Sequence, residues 1–373
     1  MAGAKLCGLS GNELYCMAQK NLSAGNIVLG NSIRSMGFIG SLGAAFRGTM
    51  GGEVPQVTAA IHEGREAALG RMIEEAGREG MQGVAGVTSE VRHLSGNTEF
   101  LIVGSGLHGQ GSGCFTSAGD AQELYCHMDA GYAPIQFVFG NIAYAVGAIR
   151  GITGSLKLLR RGEIQEFSDI FNTTRHQALS RLVAQAVTVG AQAVVGVRTT
   201  VMRWGGVHEM FMSGTAVRSS LSGLSDAGQP ATSDLTGQEL WAMAHLGYAP
   251  VKLLMSTSVY SLGMVGGFKA AFQGLTKGEV PELTTLIYEA RENVFARMRQ
   301  EADAAGATQV VGIKTFVLEI GKGLIEVVAI GTAIRKLAGA AVASSALPAQ
   351  AIVRDQDTWV DGDGGFTLES AQD

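Results

Sequence analysis

The sequence predicts an α+β protein of three tandem modules with the element order ββααββ, each with a C-terminal antiparallel hairpin packed on an amphipathic helix. Three observations lead to this prediction: a repeat of domain length, a helical apolar stripe in each copy, and two β-branched runs joined by turn residues. The repeat keeps its spacing, since Gly86, Gly196 and Gly312 are 110 and 116 residues apart. A site carried by one module is therefore expected three times.

Each module is expected to begin with two extended segments. The first is a short strand at residues 13–18, whose Glu-Leu-Tyr-Cys recurs at 123–126 and more loosely at 239–242. The second covers residues 26–33, 135–142 and 251–259. A segment rich in Gly and Ala follows at residues 34–47, 143–159 and 260–273. We interpret this segment as a helix that packs closely against another backbone, and a partly irregular loop is the alternative.

The clearest helical pattern comes next in each module. In the third copy, apolar residues recur at three- and four-residue steps at Leu283, Ile287, Ala290, Val294 and Met298. A glutamate is expected at the start of each copy of this helix, near the positive helix end: Glu53, Glu163 and Glu279. A glycine suited to a C-terminal cap ends each copy: Gly80, Gly190 and Gly306.

Two strands complete the module. Runs at residues 84–91, 194–202 and 310–318 are expected to form hairpins with residues 99–107, 208–217 and 326–334. The predicted modules span residues 13–107, 123–219 and 239–336. The Gly- and Ser-rich linkers at 108–122 and 220–238 are expected to be flexible. Residues 337–373 are expected to form a disordered acidic tail, in which Trp359 is either a docking residue or inert.

The composition bears on partners. Charged residues make up 16% of the chain, against about 25% in an average soluble protein. Small domains of low charge have more apolar surface than their cores can hide, so we expect large domain or subunit interfaces. The alternative is a Gly- and Ala-rich sequence that merely scores as apolar. The net charge of −5, without a block of Lys or Arg, argues against nucleic acid as a partner.

The sequence favours a cytoplasmic location. Residues 1–12 contain one lysine and no long apolar run, unlike a signal peptide. Arg34 interrupts the apolar stretch at residues 27–46, which argues against a membrane span. The four cysteines show no Cys-x-x-Cys spacing and are expected to be reduced thiols.

One set of motifs resembles a known family. Residues 175–182 read Arg-x-x-Ala-x-x-Arg-Leu, residues 190–198 read Gly-Ala-Gln-Ala-Val-Val-Gly-Val-Arg, and residues 213–217 read Ser-Gly-Thr-Ala-Val. The third copy echoes the last two at 306–314 and 330–334. These motifs resemble the YbjQ family, also called UPF0145 or DUF74, which carries a heavy-metal-binding label. The resemblance covers all three modules and is weakest in the first. It implies a fold and assembly into pentameric rings rather than an activity.

Cys16, Cys126 and His127 are the candidate metal ligands. The third copy has an alanine at the position of Cys126, and both other copies have a methionine at that of His127. Soft-metal sites need about four convergent Cys or His ligands, and no such set repeats. We therefore expect neither a metal nor a cofactor within a module. A site formed by Cys126 and His127 of several subunits is the alternative.

No catalytic residues are expected, because the chain has no nucleophile elbow, repeated Cys–His pair or P-loop. Arg65, Arg175 and Arg291 occupy equivalent positions in the three copies. Each is expected to pair with a neighbouring carboxylate on its own helix. An anion clamp in a ring lumen is the alternative.

Three hypotheses for function follow. The first is a self-assembling structural scaffold, a closed homo-oligomer of stacked pentameric rings or a cage of pentamers, whose partner is the chain itself. The second is a metal- or small-ligand-binding protein with sites at module interfaces. The third is an enzyme of unknown type.

Overall fold

One α+β unit occurs three times along the chain. The computed structural model describes residues 4–35, 52–111, 113–145, 162–204, 207–225, 228–261, 281–321 and 324–348. In the first two units a short helix is followed by a long strand, a two-residue strand, a long helix and a hairpin. The third unit has the same order over its described residues.

The described residues contain three short and three long helices. The short helices are α1 (Gly11–Gln19), α3 (Ala121–Asp129) and α5 (Gly237–His245). The long helices are α2 (Pro55–Arg78), α4 (Gln165–Thr188) and α6 (Pro281–Ala304).

The strands of the first unit are β1 (Ser23–Ser35), β2 (Gly52–Glu53), β3 (Gly83–Leu94) and β4 (Asn97–His108), and β5 (Phe115–Thr116) follows. Those of the second are β6 (Tyr132–Ala145), β7 (Gly162–Glu163), β8 (Ala193–Trp204) and β9 (Val207–Ser219), followed by β10 (Ala231–Thr232). The third contributes β11 (Tyr248–Ser261), β12 (Gln309–Gly321) and β13 (Leu324–Lys336).

The sheets of modules 2 and 3 each contain a strand from the preceding module. Each sheet is built on three antiparallel strands of one module, in the orders β1-β4-β3, β6-β9-β8 and β11-β13-β12. Strand β2 of module 1 pairs with β6 of module 2, and β7 of module 2 pairs with β11 of module 3. Strands β5 and β10 of the two linkers pair in parallel with β3 and β8. The modules are therefore connected by hydrogen-bonded strands as well as by linkers.

The prediction of a short strand at residues 13–18 is wrong, because these residues belong to α1. Ser10 and Glu13 form a capping box at the start of this helix, and Thr236 and Glu239 form the same motif at α5. In α3, the side chain of Asp120 accepts hydrogen bonds from two backbone amides of the first turn. These caps satisfy amide groups that a helix start would otherwise leave unpaired.

The long helices and the hairpins are confirmed. The three glycines predicted to end the long helices have φ values of 65°, 70° and 65°, which favour glycine. The role predicted for the preceding glutamates is wrong where the structure describes them. Glu53 and Glu163 lie in β2 and β7, and each carboxylate binds an arginine of the next module. Glu279 lies outside the described residues.

Each of the first two long helices lies very close to the long strand of its own module. A Cβ added to Gly140 in β6 would lie 2.2 Å from the backbone oxygen of Ala178 in α4. Gly30 in β1 has the same relation to Ala68 in α2, at 2.1 Å. A side chain at either position would force helix and strand apart.

Two further predictions are corrected. The linkers, expected to be flexible, form the strands β5 and β10 and bury Ser117 and Ser233. The predicted disorder is wrong at residues 343–344, because the amide of Ala343 donates to the backbone of Asp129 and Ser344 binds its carboxylate. Trp359 lies outside the described residues.

The Gly/Ala-rich segment predicted to be helical lies mostly outside the described residues as well, as does its expected close contact with another backbone. Its described ends belong to β1, β6 and β11. Among the helices that the structure describes, none combines the length and apolar character needed to cross a membrane.

Candidate functional site

The three candidate metal ligands lie on the short helices. Cys16 is on α1, and Cys126 and His127 are adjacent on α3. All three side chains are buried, and Cys16 and Cys126 belong to one apolar cluster that also contains Leu124 and Trp241. The two cysteines thus pack as small apolar side chains where neighbouring modules meet.

Burial makes both thiols poor ligands. Desolvation, with smaller contributions from Cys16 and nearby carboxylates, raises the pKa of the Cys126 thiol to about 12. Desolvation also raises the pKa of Cys16. Because metals bind the thiolate, a raised thiol pKa makes metal binding less favourable at these positions. No three His, Cys, Asp or Glu side chains in the described ranges group together as a metal site would require.

His127 is a buried, uncharged side chain. Within the described residues neither of its ring nitrogens has a hydrogen-bond partner. Desolvation, and then the nearby positive charge of Arg198, lowers its pKa to about 4. Its ring packs beside Gly196, where an added Cβ would lie 3.8 Å from Cε1. At neutral pH the imidazole therefore fills the position that Met17 and Met243 occupy in the other modules.

The most elaborate contacts lie at junctions where a long helix packs on the sheet of the next module. At the first junction, α2 of module 1 contacts β6 of module 2. Their shared core joins Val57 and Ile61 to Phe137, Phe139 and Phe211. This apolar contact is continuous with the core of module 1 itself. The helix thus belongs to two modules at once.

An ion pair lies inside this junction. Arg65 of α2 and Glu209 of β9 approach to 2.5 Å, and both side chains are fully buried. The guanidinium carbon lies 4.0 Å from the ring centre of Phe211, and its Nε donates to Ser89 at 3.2 Å. A buried pair needs such additional contacts, because each charge has lost its water. Desolvation by burial lowers the pKa of Arg65, opposed by Glu209.

The second junction contains an equivalent arginine–glutamate pair. Arg175 of α4 lies 2.6 Å from Glu326 of β13, and both are nearly buried. Glu326 also accepts a hydrogen bond from Thr257 at 2.7 Å. The prediction that these arginines pair on their own helix is wrong for Arg65 and Arg175, because the partner carboxylates belong to the next module.

The backbone is joined in the same way at both junctions. The hydroxyl of Thr58 accepts from the amide of Ala143 at 2.9 Å, and that of Ser168 accepts from the amide of Val259 at 2.9 Å. These serine and threonine side chains hold the end of the next module's long strand against the helix. The two junctions are therefore one arrangement built twice.

Partly exposed salt bridges lie at the rim of each junction, between a two-residue strand and the long helix of the next module. Glu53 in β2 binds Arg181 in α4 at 2.7 Å. Glu163 in β7 binds Arg297 in α6 at 2.6 Å. Both arginines also donate to a backbone carbonyl of their own module's long strand. Each two-residue strand is thus fixed by hydrogen bonds and by charge.

Each linker contacts both of the modules that it connects. Gly196 has a φ of 62° and lies where the β8–β9 register shifts, as is typical of a β-bulge. The next amide, that of Val197, donates to the linker carbonyl of Ser233 at 2.8 Å. The Ser233 hydroxyl lies 3.3 Å from that of Thr332 in module 3. Ser117 and Thr215 repeat this contact between the first linker and module 2 at 3.2 Å.

The short helices form a third line of contacts, α1 to α3 to α5. Lys20, which follows α1, lies 2.7 Å from Asp129 of α3, and the indole of Trp241 in α5 donates to the same carboxylate at 2.7 Å. The amide of Ala121 donates to Glu13 at 3.2 Å. Each module therefore contacts the next through a long helix, a linker and a short helix.

Sequence reasoning missed the carboxylates of the junctions. Glu209 and Glu326 occupy the same place in their hairpins, and Glu99 is the equivalent in module 1. A glutamate at this position in all three copies, opposite an arginine at a fixed position in all three helices, was the available signal. The pairing could not be inferred from one module, because the arginine and its glutamate lie in different modules.

Comparison with known proteins agrees with the repeat. A family model described as "Putative heavy-metal-binding" matches residues 18–107, 132–220 and 248–336. A Mycobacterium tuberculosis protein named as an encapsulin nanocompartment protein is 31% identical over 233 residues, which cover 60% of this chain and 86% of that protein. No solved structure matches the chain.

Two shorter relatives match about one module. A UPF0145 protein of Methanoregula boonei is 43% identical over 82 residues, 22% of this chain and 68% of that protein. A UPF0145 protein of Burkholderia lata is 35% identical over 115 residues, 31% of this chain and 91% of that protein. With three family-model matches that together cover most of its length, the chain belongs to the YbjQ (UPF0145) family and contains three copies of its module.

Proposed function

We propose that this chain is a self-assembling structural scaffold that forms a closed, high-order homo-oligomer. The module junction carries the proposal, because one arrangement of helix, strand and buried ion pair occurs twice along the chain. Such contacts are heterologous, since a different surface is used on each side. Repeated heterologous contacts close into rings or extend into filaments.

The name of the Mycobacterium tuberculosis relative supports an assembly role, since that protein is called an encapsulin nanocompartment protein. Within this proposal, residues 13–107, 123–219 and 239–336 are the assembling modules. Stacked pentameric rings and a cage of pentamers are the forms implied by the family resemblance. The proposal includes a cytoplasmic location, no catalytic residues, no nucleic-acid partner, and a docking role for the tail around Trp359.

The alternative is a metal- or small-ligand-binding protein, which the description of the family model favours. The absence of a grouped set of ligands among the described residues counts against it within one chain, as does the raised pKa of the buried Cys126 thiol. A ligand site between chains is the remaining form of this alternative.

Removing metal distinguishes the two functions. We expect particles treated with a strong chelator to look unchanged by negative-stain electron microscopy, because their interfaces consist of apolar side chains and ion pairs. A structural metal is linked to folding, so its removal would dissolve the particles. Mock-treated particles, and chelated particles given zinc again, are the controls. Dissolution that zinc reverses would contradict the proposal and favour the metal-binding alternative.

A further inference from the structure

The sheet of module 1 exposes the face that modules 2 and 3 bury in their junctions. Leu29 in β1 is 50% exposed, whereas its equivalents Phe139 and Met255 are at most 1% exposed. Ile27 and Ile33 on the same strand are also exposed, and their equivalents in β6 and β11 are buried. Alternate residues of a strand share one face. These three side chains therefore form an apolar strip like the one that each internal junction covers.

The two residues equivalent to the internal ion pair lie in different terminal modules, the carboxylate in module 1 and the arginine in module 3. Glu99 in β4 is the equivalent of Glu209 and Glu326, and it is partly exposed, with a hydrogen bond from Asn31 at 3.2 Å. Arg291 in α6 is the equivalent of Arg65 and Arg175. It is exposed and forms no ion pair with a described residue. Module 3 thus presents the cation and module 1 the carboxylate.

The sheet edges show the same complementarity. In the described residues β3 and β8 each pair with a linker strand, whereas β12 has no strand on this edge. Ile313 in β12 is 47% exposed, and its equivalent Val197 is 4% exposed. Leu6 occupies the position of Thr116: its carbonyl accepts from the amide of Ile27 at 2.8 Å, and Leu6 is itself exposed.

The exposure of the short helices also indicates an uncovered surface on module 1. Tyr15 in α1 is 57% exposed, whereas Tyr125 and Trp241 at the equivalent positions are buried, and they contact Lys20 and Asp129 of the preceding module respectively. This observation is independent of the sheet and of the long helix, and it runs in the same direction along the chain.

We propose that a second copy of the chain covers these surfaces head to tail. This inference rests on the proposed function and assigns the residues of the contact. Helix α6 of one copy packs on β1 and β4 of the next, with Arg291 paired to Glu99. Residues 5–6 of that next copy add in parallel to the free edge of β12, a form of strand addition. Any ring closed by this joint contains modules in multiples of three, so the joint would replace the five-module rings that the family resemblance implies while keeping the closed homo-oligomer.

One rim contact differs from the internal junctions. Glu66 and Gln185 are hydrogen-bonded at the first junction, and His176 and Glu301 form an ion pair at the second. The equivalent residues between copies are Glu292 and Glu75. Like charges at an exposed rim repel, and salt screens them. The joint should therefore tolerate salt better than an interface held by rim ion pairs.

Charge reversal tests the joint. We expect Arg291→Glu and Glu99→Arg each to raise the protein concentration at half-assembly by roughly 30-fold or more, since each places like charges at a desolvated pair. The double variant restores the pair with reversed polarity and should return to within a few-fold of the wild type. Arg78→Glu makes the same charge change at an exposed end of α2 and is the matched control. Analytical ultracentrifugation measures assembly, and circular dichroism confirms folding.

The outcomes separate this inference from the proposed function. A wild-type chain that stays monomeric would contradict both. If the Arg291→Glu variant, the Glu99→Arg variant and their double variant all assemble as well as the wild type, the scaffold would stand and the head-to-tail joint would be overturned. Single variants that dissociate without recovery in the double variant would also overturn the assigned Arg291–Glu99 pair.

Discussion

Replacing Arg65 with methionine is expected to destabilise the chain by about 3–5 kcal/mol, because Glu209 would remain buried without its cation. The carboxylate side chain is fully buried, and the structure shows the guanidinium 2.5 Å from it. The free energy is read from the denaturant transition that exposes the first junction, since a three-module chain need not unfold in two states. A double variant in which Glu209 is also methionine should recover most of the loss, since apolar replacement of a buried pair is often neutral or stabilising.

Arg78→Met is the control, because an exposed surface change typically costs less than about 0.5 kcal/mol. The prediction fails if the Arg65 variant unfolds like this control. It also fails if the double variant is as unstable as the single one, since the lost stability would then come from packing rather than from an uncompensated charge.

Stability is expected to fall by about 3 kcal/mol between pH 7 and pH 4 through His127 alone. The pKa of this buried ring is about 4 in the folded chain, against about 6.5 in an unfolded one. A base whose folded pKa is depressed contributes full stability above the unfolded pKa. Below that pH the unfolded state binds the proton first, so stability falls until the pH reaches the folded pKa.

His127→Met supplies the comparison, because module 1 buries a methionine, Met17, at the equivalent position. Carboxylates such as Glu123 titrate in both proteins, so the difference between the two pH profiles isolates the histidine. Between pH 7 and pH 4 we expect the free energy of unfolding of the wild type to fall by about 3 kcal/mol more than that of the His127→Met variant. Parallel profiles over the whole range would show that the ring does not titrate as proposed.

The sequence was sufficient for the long helices and hairpins because their signals are local. Gly86 and its equivalents marked the repeat, and their positive φ values at the strand bulges explain why glycine is required there. The short helix α1 was missed although Ser10 and Glu13 carry a capping box, because the apolar residues of a nine-residue helix also fit a strand.

The junctions could not be predicted in the same way. The linkers look flexible by composition, and their order depends on partners such as Thr215 that lie far away in sequence. Likewise, Arg65 has carboxylates on its own helix at Glu63 and Glu66, and sequence spacing alone does not show that it turns instead to Glu209. What these residues do is set by tertiary packing between modules.

The mass of the native particle in solution tests the central claim most directly. The chain has a mass of 38.8 kDa, and the account predicts one discrete species at an integer multiple of this value, unchanged over ordinary salt concentrations. Apolar interfaces with buried ion pairs resist salt, whereas exposed charge pairs weaken with it. A monodisperse monomer at micromolar concentration would contradict the scaffold and the head-to-tail joint together.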